Sequence, residues 1–273
     1  AKCALFSQKG RGQLRVESVV SAKNLAGGGL SPESATTAVR RELLSAGTTG
    51  LKVVVGVDSP PSIAKEFISD KSWIKWSGCF ADTYPTPEAF REATSLPNAK
   101  TRAGSRREPK RQTDIKHKTP LPPQNLRMYK QTWWAIHGIF APLSRQGFCV
   151  VPCMDFSSQH LLMESCPASV LKRLELYTEP YKGNTAKHGQ RRRVILDHLK
   201  KGVPIGRNSK MLVSVELGDP QLKKTLVADP GADALDAVLA ALGAACSVCR
   251  EDFPAPEDGE MLDIYKLEAC VYC

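Results

Sequence analysis

No apolar stretch among the 273 residues is long enough to cross a membrane: the longest uncharged apolar run, the alanine-rich stretch at residues 237–248, falls short of the ~20 residues a spanning helix needs. No export signal is visible, so the nine cysteines read as mostly free thiols in a reducing compartment, and a cytoplasmic location is expected. The chain opens at Ala1 rather than Met, so the displayed start need not be the native one. No glycine cluster follows a strand in phosphate-loop spacing, which leaves the loop at residues 24–29 without a nucleotide role and a phosphotransferase reading without support. Acid is the scarcer charge, 28 Asp and Glu against 38 Lys and Arg. The net charge of +10 favours an anionic partner, nucleic acid first, over the plainer reading of a soluble basic protein. Hydrophobic and charged fractions of 42% and 24% are ordinary for a globular chain, and one domain over residues 1–273 is expected.

Residues 227–245 carry the strongest periodic pattern. Leu235, Val238, Leu239 and Leu242 fall at i, i+3, i+4 and i+7, the core-facing stripe of a helix. Ala237, Ala240, Ala241 and Ala244 occupy the other side, so burial nearly all round is expected. Asp229 reads as its N-cap, with Pro230 at the first helical position. Asp233 and Asp236, three apart, share the small-residue face. Two carboxylates opening a buried helix are costly unless something positive meets them. Either they complement the helix dipole, or they bind metal together with a third acid.

Asp58 is the third acid. Residues 51–57 are a near-continuous apolar run, a strand buried on both faces, and Ser59-Pro60-Pro61-Ser62 ends it. Asp58 thus stands at a strand's carboxyl end, where open α/β sheets place their sites. Glu164 ends a second strand, residues 159–164, ahead of a helix that starts at Pro167.

Residues 2–7 and 14–22 read as a hairpin, and residues 31–46 as a helix with Val39, Leu43 and Leu44 inward. Residues 71–80, with Trp73, Trp76 and Phe80, read as a packed loop or lid. Leu126, Tyr129, Trp133, Ile136, Phe140 and Leu143 define an amphipathic helix with core aromatics, bent or ended near Pro142. Residues 148–151 read as a strand, and residues 211–217 as strand or helix.

Basic residues gather in two places. Residues 100–118 hold eight Lys and Arg, among them Arg106, Arg107 and Arg111, against Glu108 and Asp114. They read as a basic loop, either solvated or contacting phosphates. Residues 181–210 hold nine, including Lys182, Arg191, Arg192 and Arg193, against Asp197. In the tail, residues 246–273, Cys246-x-x-Cys249 and Cys270-x-x-Cys273 have the spacing of a four-cysteine Zn²⁺ site, with coincidence as the competing reading. Cys3, Cys79, Cys149, Cys153 and Cys166 show no catalytic spacing.

In chain order, VVVGVDSPPS (53–62), Arg111-Gln-Thr-Asp114, TPLPPQNLRMYKQT (119–132), LLMESCPASVLKRL (161–174), Tyr181-Lys-Gly183 and DALDAVLAAL (233–242) make one ordered set. Together they resemble the domain-of-unknown-function 429 family, predicted nucleases with a ribonuclease H-like fold. The closing Asp-x-x-Asp helix is also similar to the last acidic helix of Holliday-junction resolvases. The resemblance covers nearly the whole chain. It implies an α/β architecture, a mixed five-stranded sheet flanked by helices. It also implies a two-metal nuclease acting on DNA or RNA, in which carboxylates hold divalent ions roughly 4 Å apart. Oxygen ligands imply Mg²⁺ or Mn²⁺. Carried across, Asp58, Asp233 and Asp236 are ligands and Glu164 a fourth catalytic candidate. Arg111 and Asp114 with the basic loop, and Lys182 with Arg191, Arg192 and Arg193, are expected to form a positive rim that holds substrate.

One departure stands out. Such folds carry their first catalytic Asp in a Gly-x-Asp setting on the central first strand. Here the opening hairpin corresponds to the second and third strands, and no acid stands in that place. A chain without that strand is expected to be open at the sheet centre and impaired in catalysis. A second reading therefore stands beside the hydrolase: a nucleic-acid-binding or interaction protein on the same fold with a degenerate site.

Overall fold

Alternation of apolar and polar residues builds the opening hairpin. A computed structural model describes residues 1–8, 10–29, 31–97, 106–117, 119, 121–156, 158–255 and 262–273. β1 (Lys2–Gln8) and β2 (Arg11–Ser18) pair antiparallel about Gly10, whose φ of 74° suits glycine. In β2, Gly12, Leu14 and Val16 face the core and the intervening residues face solvent. After α1 (Ala22–Leu25), the Ser31 hydroxyl accepts from the Ser34 N–H and starts α2 (Pro32–Gly47). Val39, Leu43 and Leu44 of α2 pack on the core, and β3 (Val53–Val57) follows.

Residues 71–80 are helical rather than a loop. A 3₁₀ turn at Lys65–Phe67 leads into α3 (Trp73–Gly78), α4 (Phe80–Thr83) and α5 (Pro87–Ala93). These helices are too short to print a period in the sequence, and aromatic packing holds them. Trp73, Trp76 and Phe80 are buried, with Trp76 and Phe80 edge to face at 5.3 Å. β4 (Leu96–Pro97) pairs antiparallel with β5 (Arg106–Arg107), and α6 (Gln112–Lys116) follows.

The aromatic helix passes Pro142 without ending. α7 (Tyr129–Ala135) continues through a π turn, Ile136–Phe140, into α8 (Ala141–Ser144). Pro142 has no N–H for the carbonyl of Gly138, and Arg40 of α2 donates to that carbonyl at 3.2 Å instead. Trp133, Ile136, Phe140 and Leu143 are buried in the core, as their spacing requires.

β6 (Cys149–Val151), β7 (His160–Glu164), α9 (Pro167–Arg173), α10 (Ala186–Lys201), β8 (Val203–Pro204) and β9 (Leu212–Leu217) come next. α11 (Pro220–Ala228), α12 (Asp233–Val248) and α13 (Tyr265–Glu268) complete the described elements. The architecture is α/β, with mixed strand pairing flanked by helices. One sheet runs β1-β2-β9-β8, with β2 and β9 parallel, and a second runs β3-β7-β6, all parallel. β3 therefore has one strand partner among the described residues, and all five of its residues are half-buried rather than enclosed on both faces. No single helix among the described residues is long and apolar enough to cross a membrane.

α12 joins the two sheets. Leu235, Val238, Leu239 and Leu242 pack with Leu14 and Val16 of β2, Val213 and Val215 of β9, and Ile195, Leu196 and Leu199 of α10. Its small-residue face lies on the other sheet. A Cβ on Gly56 of β3 would overlap the Ala240 carbonyl oxygen and stand 2.8 Å from its carbon. Asp229 is not the N-cap; Ala232 holds that position at φ 58°, and Asp229 reaches the helix start from the preceding loop, accepting from the Ala234 N–H at 2.9 Å.

Because backbone, not a flexible side chain, opposes Gly56, Gly56→Ala is expected to cost about 1–3 kcal/mol through overpacking, seen as a lowered urea midpoint. Gly78→Ala, where nothing lies within 4 Å of the added carbon, is the control and should leave the midpoint nearly unchanged.

Candidate functional site

The Gly56–Ala240 crossing decides which acids meet. Asp58 lies two residues past it on the strand, ~7 Å along, and Asp236 lies one turn before it on the helix, ~6 Å along. The carboxyl end of β3 thus meets the amino end of α12. Asp236, Glu164 and Asp233 all bear electrostatically on Asp58. Asp58 is solvent-exposed by area, yet protein crowds most of its surroundings. That crowding, with Asp236, Glu164 and Asp233 adding repulsion and Lys182 opposing, pushes its pKa up to about 7. The Gln131 side-chain amide donates to its backbone carbonyl.

Asp236 is 6% exposed and fully engaged. The Tyr181 hydroxyl donates to its Oδ1 at 2.8 Å, and the Lys182 ammonium pairs with its Oδ2 at 2.6 Å. Burial raises its pKa, and Lys182 and Tyr181 restrain the rise. Burial also works against the Lys182 charge, but Asp236, Asp58 and Asp233 outweigh it and lift the lysine pKa. Asp233 is exposed in the first turn of α12. Neither Asp58 nor Asp233 takes a hydrogen bond on its carboxylate among the described residues. Nor, among those residues, is any group of three or more His, Cys, Asp or Glu already arranged around a common metal position.

Arg111 and Glu164 do not have the roles the sequence suggested. Arg111 is 1% exposed, so it is no phosphate contact. Its Nε and Nη2 donate to Asp114 at 3.0 and 2.8 Å, its Nη1 and Nη2 to Glu164 at 2.7 and 2.8 Å, and its Nη1 to the Glu268 carbonyl at 3.3 Å. Every guanidinium N–H is thereby used. Asp114, which also accepts from Thr119, is a partner of this arginine rather than of substrate. Glu164 does end its strand, but both of its oxygens face Arg111, so it is a buried counter-ion and not a ligand free for metal. The last residues close over the group. The Glu268 carboxylate accepts from the Lys65 and Gln112 N–H groups at 2.7 and 2.6 Å, and the Tyr272 N–H donates to the Glu164 carbonyl at 2.9 Å.

The expected rim is likewise only partly at the surface. Arg192 is 3% exposed and donates to the carbonyls of Val227, Tyr181 and Gly183, a role set by backbone acceptors on its buried side. Arg191 donates to the Leu176 carbonyl and the Thr178 hydroxyl, while Arg193 is exposed beside Gln190. Arg106 and Arg107 are described as backbone only, and Lys100, Arg102 and Lys118 lie outside the described residues. Among the described side chains, Lys182 is the expected cation that pairs with Asp236. The four tail thiols divide between two core clusters: Cys246, Cys249 and Cys273 lie with the α12 stripe, and Cys270 with Tyr265, Tyr272 and Cys149.

Tyr181 and Gln131 lie in the quoted motifs without an expected role, and Glu268 goes unnoticed in the sequence. Each acts through long-range contacts, one side-chain hydrogen bond each for Tyr181 and Gln131 and several bonds for Glu268, and no local pattern announces such contacts. Comparison with known proteins adds no assignment: no family model matches the chain, and no curated protein or solved structure matches it significantly.

Arg111→Met leaves two buried carboxylates without their counter-charge and is expected to cost about 3–5 kcal/mol, seen as early urea unfolding. A phosphate contact would instead melt normally and bind nucleic acid less well. A pH effect is expected from Asp58. In the metal-free native state it keeps its proton to about pH 7, but only to about pH 4 when unfolded. The native state therefore holds the extra proton in that window, and stability falls as pH rises through it. Asp58→Asn should raise the urea midpoint at pH 8 and leave it nearly unchanged at pH 4. An equal effect at both would place the cause elsewhere.

Proposed function

We propose that the chain is a cytoplasmic, divalent-metal-dependent phosphodiester hydrolase of the ribonuclease H-like type, acting on DNA or RNA. The observation that carries this reading is that Asp233 and Asp236, at the start of α12, both repel Asp58 at the end of β3, with Lys182 on Asp236 as the opposing charge. The chemistry of the donors suits such a metal, although among the described residues no three of them are gathered round one position. Three aspartates offer hard oxygen ligands of the kind Mg²⁺ and Mn²⁺ prefer, and two of them face solvent. Bound divalent ions would supply an activated water and charge stabilisation at the leaving oxygen. Asp58, Asp233 and Asp236 would hold them, and the Arg111–Glu164 pair would fix the frame beneath. Lys187, Arg193, Lys200 and Lys201 are exposed on α10 and suit a polyanion held through its phosphates.

A specific observation favours the second reading as well. With Glu164 committed to Arg111, three carboxylates remain for a two-ion centre, which is the condition of a nucleic-acid-binding protein with a degenerate site. Labelled single-stranded, duplex and branched DNA and RNA, incubated with the chain and Mn²⁺ at two salt concentrations, separate the readings. The hydrolase predicts Mn²⁺-dependent cleavage lost in Asp236→Asn, and a Mn²⁺-induced rise in melting temperature that shrinks in Asp58→Asn. Salt-sensitive binding without cleavage establishes the second reading. Absence of both binding and cleavage rejects the two together.

A further inference from the structure

The segment Tyr181-Lys182-Gly183 is held more firmly than a surface stretch requires. Buried Arg192 donates to the carbonyls on either side of Lys182, those of Tyr181 and Gly183, and its Nε reaches Val227 at 2.8 Å. The Gly183 N–H donates to the Pro230 carbonyl at 2.7 Å, which ties the segment to the loop before α12. Gly183 itself sits at φ 138°, with the His188 ring where a side chain would stand. The backbone is therefore fixed, while the lysine side chain keeps 55% of its surface in solvent. From that base it reaches Asp236 Oδ2 at 2.6 Å, with Asp58 and Asp233 also in its field.

An ammonium on a carboxylate oxygen stands where a cation ligand would bind, and the two compete for the same lone pairs. We propose that Lys182 is the resident counter-ion of the acidic centre: it neutralises Asp236 until a divalent ion takes that carboxylate, and the released ammonium then contacts a phosphate of the bound strand. This rests on the metal-binding reading above. Lysine suits the exchange because its charge is a compact point on a flexible four-carbon stem. The exchange is of ions alone, and no bond to carbon or phosphorus changes.

Mn²⁺ titrations followed by electron paramagnetic resonance on the full chain test it, with thermal melts confirming the fold of each variant. Lys182→Met and Lys182→Gln, two neutral replacements, should bind Mn²⁺ at least about fivefold more tightly than wild type. Lys182→Arg, which keeps the charge, should stay near wild type. With Ca²⁺ present, the neutral variants should bind a fluorescein-labelled single-stranded oligonucleotide more weakly. Equal Mn²⁺ affinity in wild type and the neutral variants overturns the exchange and leaves the metal reading standing. Tighter binding by Lys182→Arg as well would overturn it too, since charge would not be the cause. No Mn²⁺ binding by any form removes the metal reading, and the exchange with it.

Discussion

The approach of the Ala240 carbonyl to Gly56 sets the spacing on which the rest of the molecule depends. A side chain at that strand position would push α12 away. With glycine there, the helix lies close enough to serve two sheets whose strands, among the described residues, do not pair with one another. Its branched stripe fills the core under β2 and β9, and its small residues face β3. Lengthening that contact by one methyl group would move the first turn of the helix, and Asp233 and Asp236 with it, relative to Asp58.

Two charge systems stand near each other and are built to opposite specifications. Arg111 is closed: it is buried, saturated with acceptors and covered by residues 268–272, and it has no capacity for a ligand. Asp236 is half open: its carboxylate is buried, but the cation that balances it comes from a side chain still mostly in water. A buried ion pair with every donor used gives rigidity, because neither partner can leave alone without an uncompensated charge. A pair with one solvated member gives exchange, because the departing ammonium is rehydrated at once. Rigidity beside exchange is a sound division of labour for a site that must hold its geometry while its ions come and go.

The sequence shows some of this and hides the rest for physical reasons. Periodicity exposes the burial of α12, the apolar character of β3 and the core role of the aromatic helix, because each repeats a local geometry many times over. The turn prolines after Asp58 mark the end of the strand. Charge alone does not tell which way a side chain points. Arg111 and Arg192 sit in basic stretches and read as surface residues, yet each turns inward, because buried acceptors (carboxylates in one case, backbone carbonyls in the other) lie within reach. Asp229 reads as the N-cap by position but stands in the loop before it, from where its carboxylate still accepts from the Ala234 N–H. The separation of the strands into two sheets is invisible beforehand, since pairing partners are chosen by tertiary fit.

The parallel pairing of β2 with β9 also bears on how the molecule is made. β2 ends at Ser18 and its partner begins at Leu212, so most of the chain must leave the ribosome between them. At ~5–20 residues per second that interval lasts about 10–40 s. A lone two-stranded hairpin is marginal in water, so Leu14 and Val16 travel unburied while β3, β6 and β7 can already assemble. β2 is thus made long before the strand that locks it in place, and for that interval its apolar face needs shielding from neighbouring chains on the polysome.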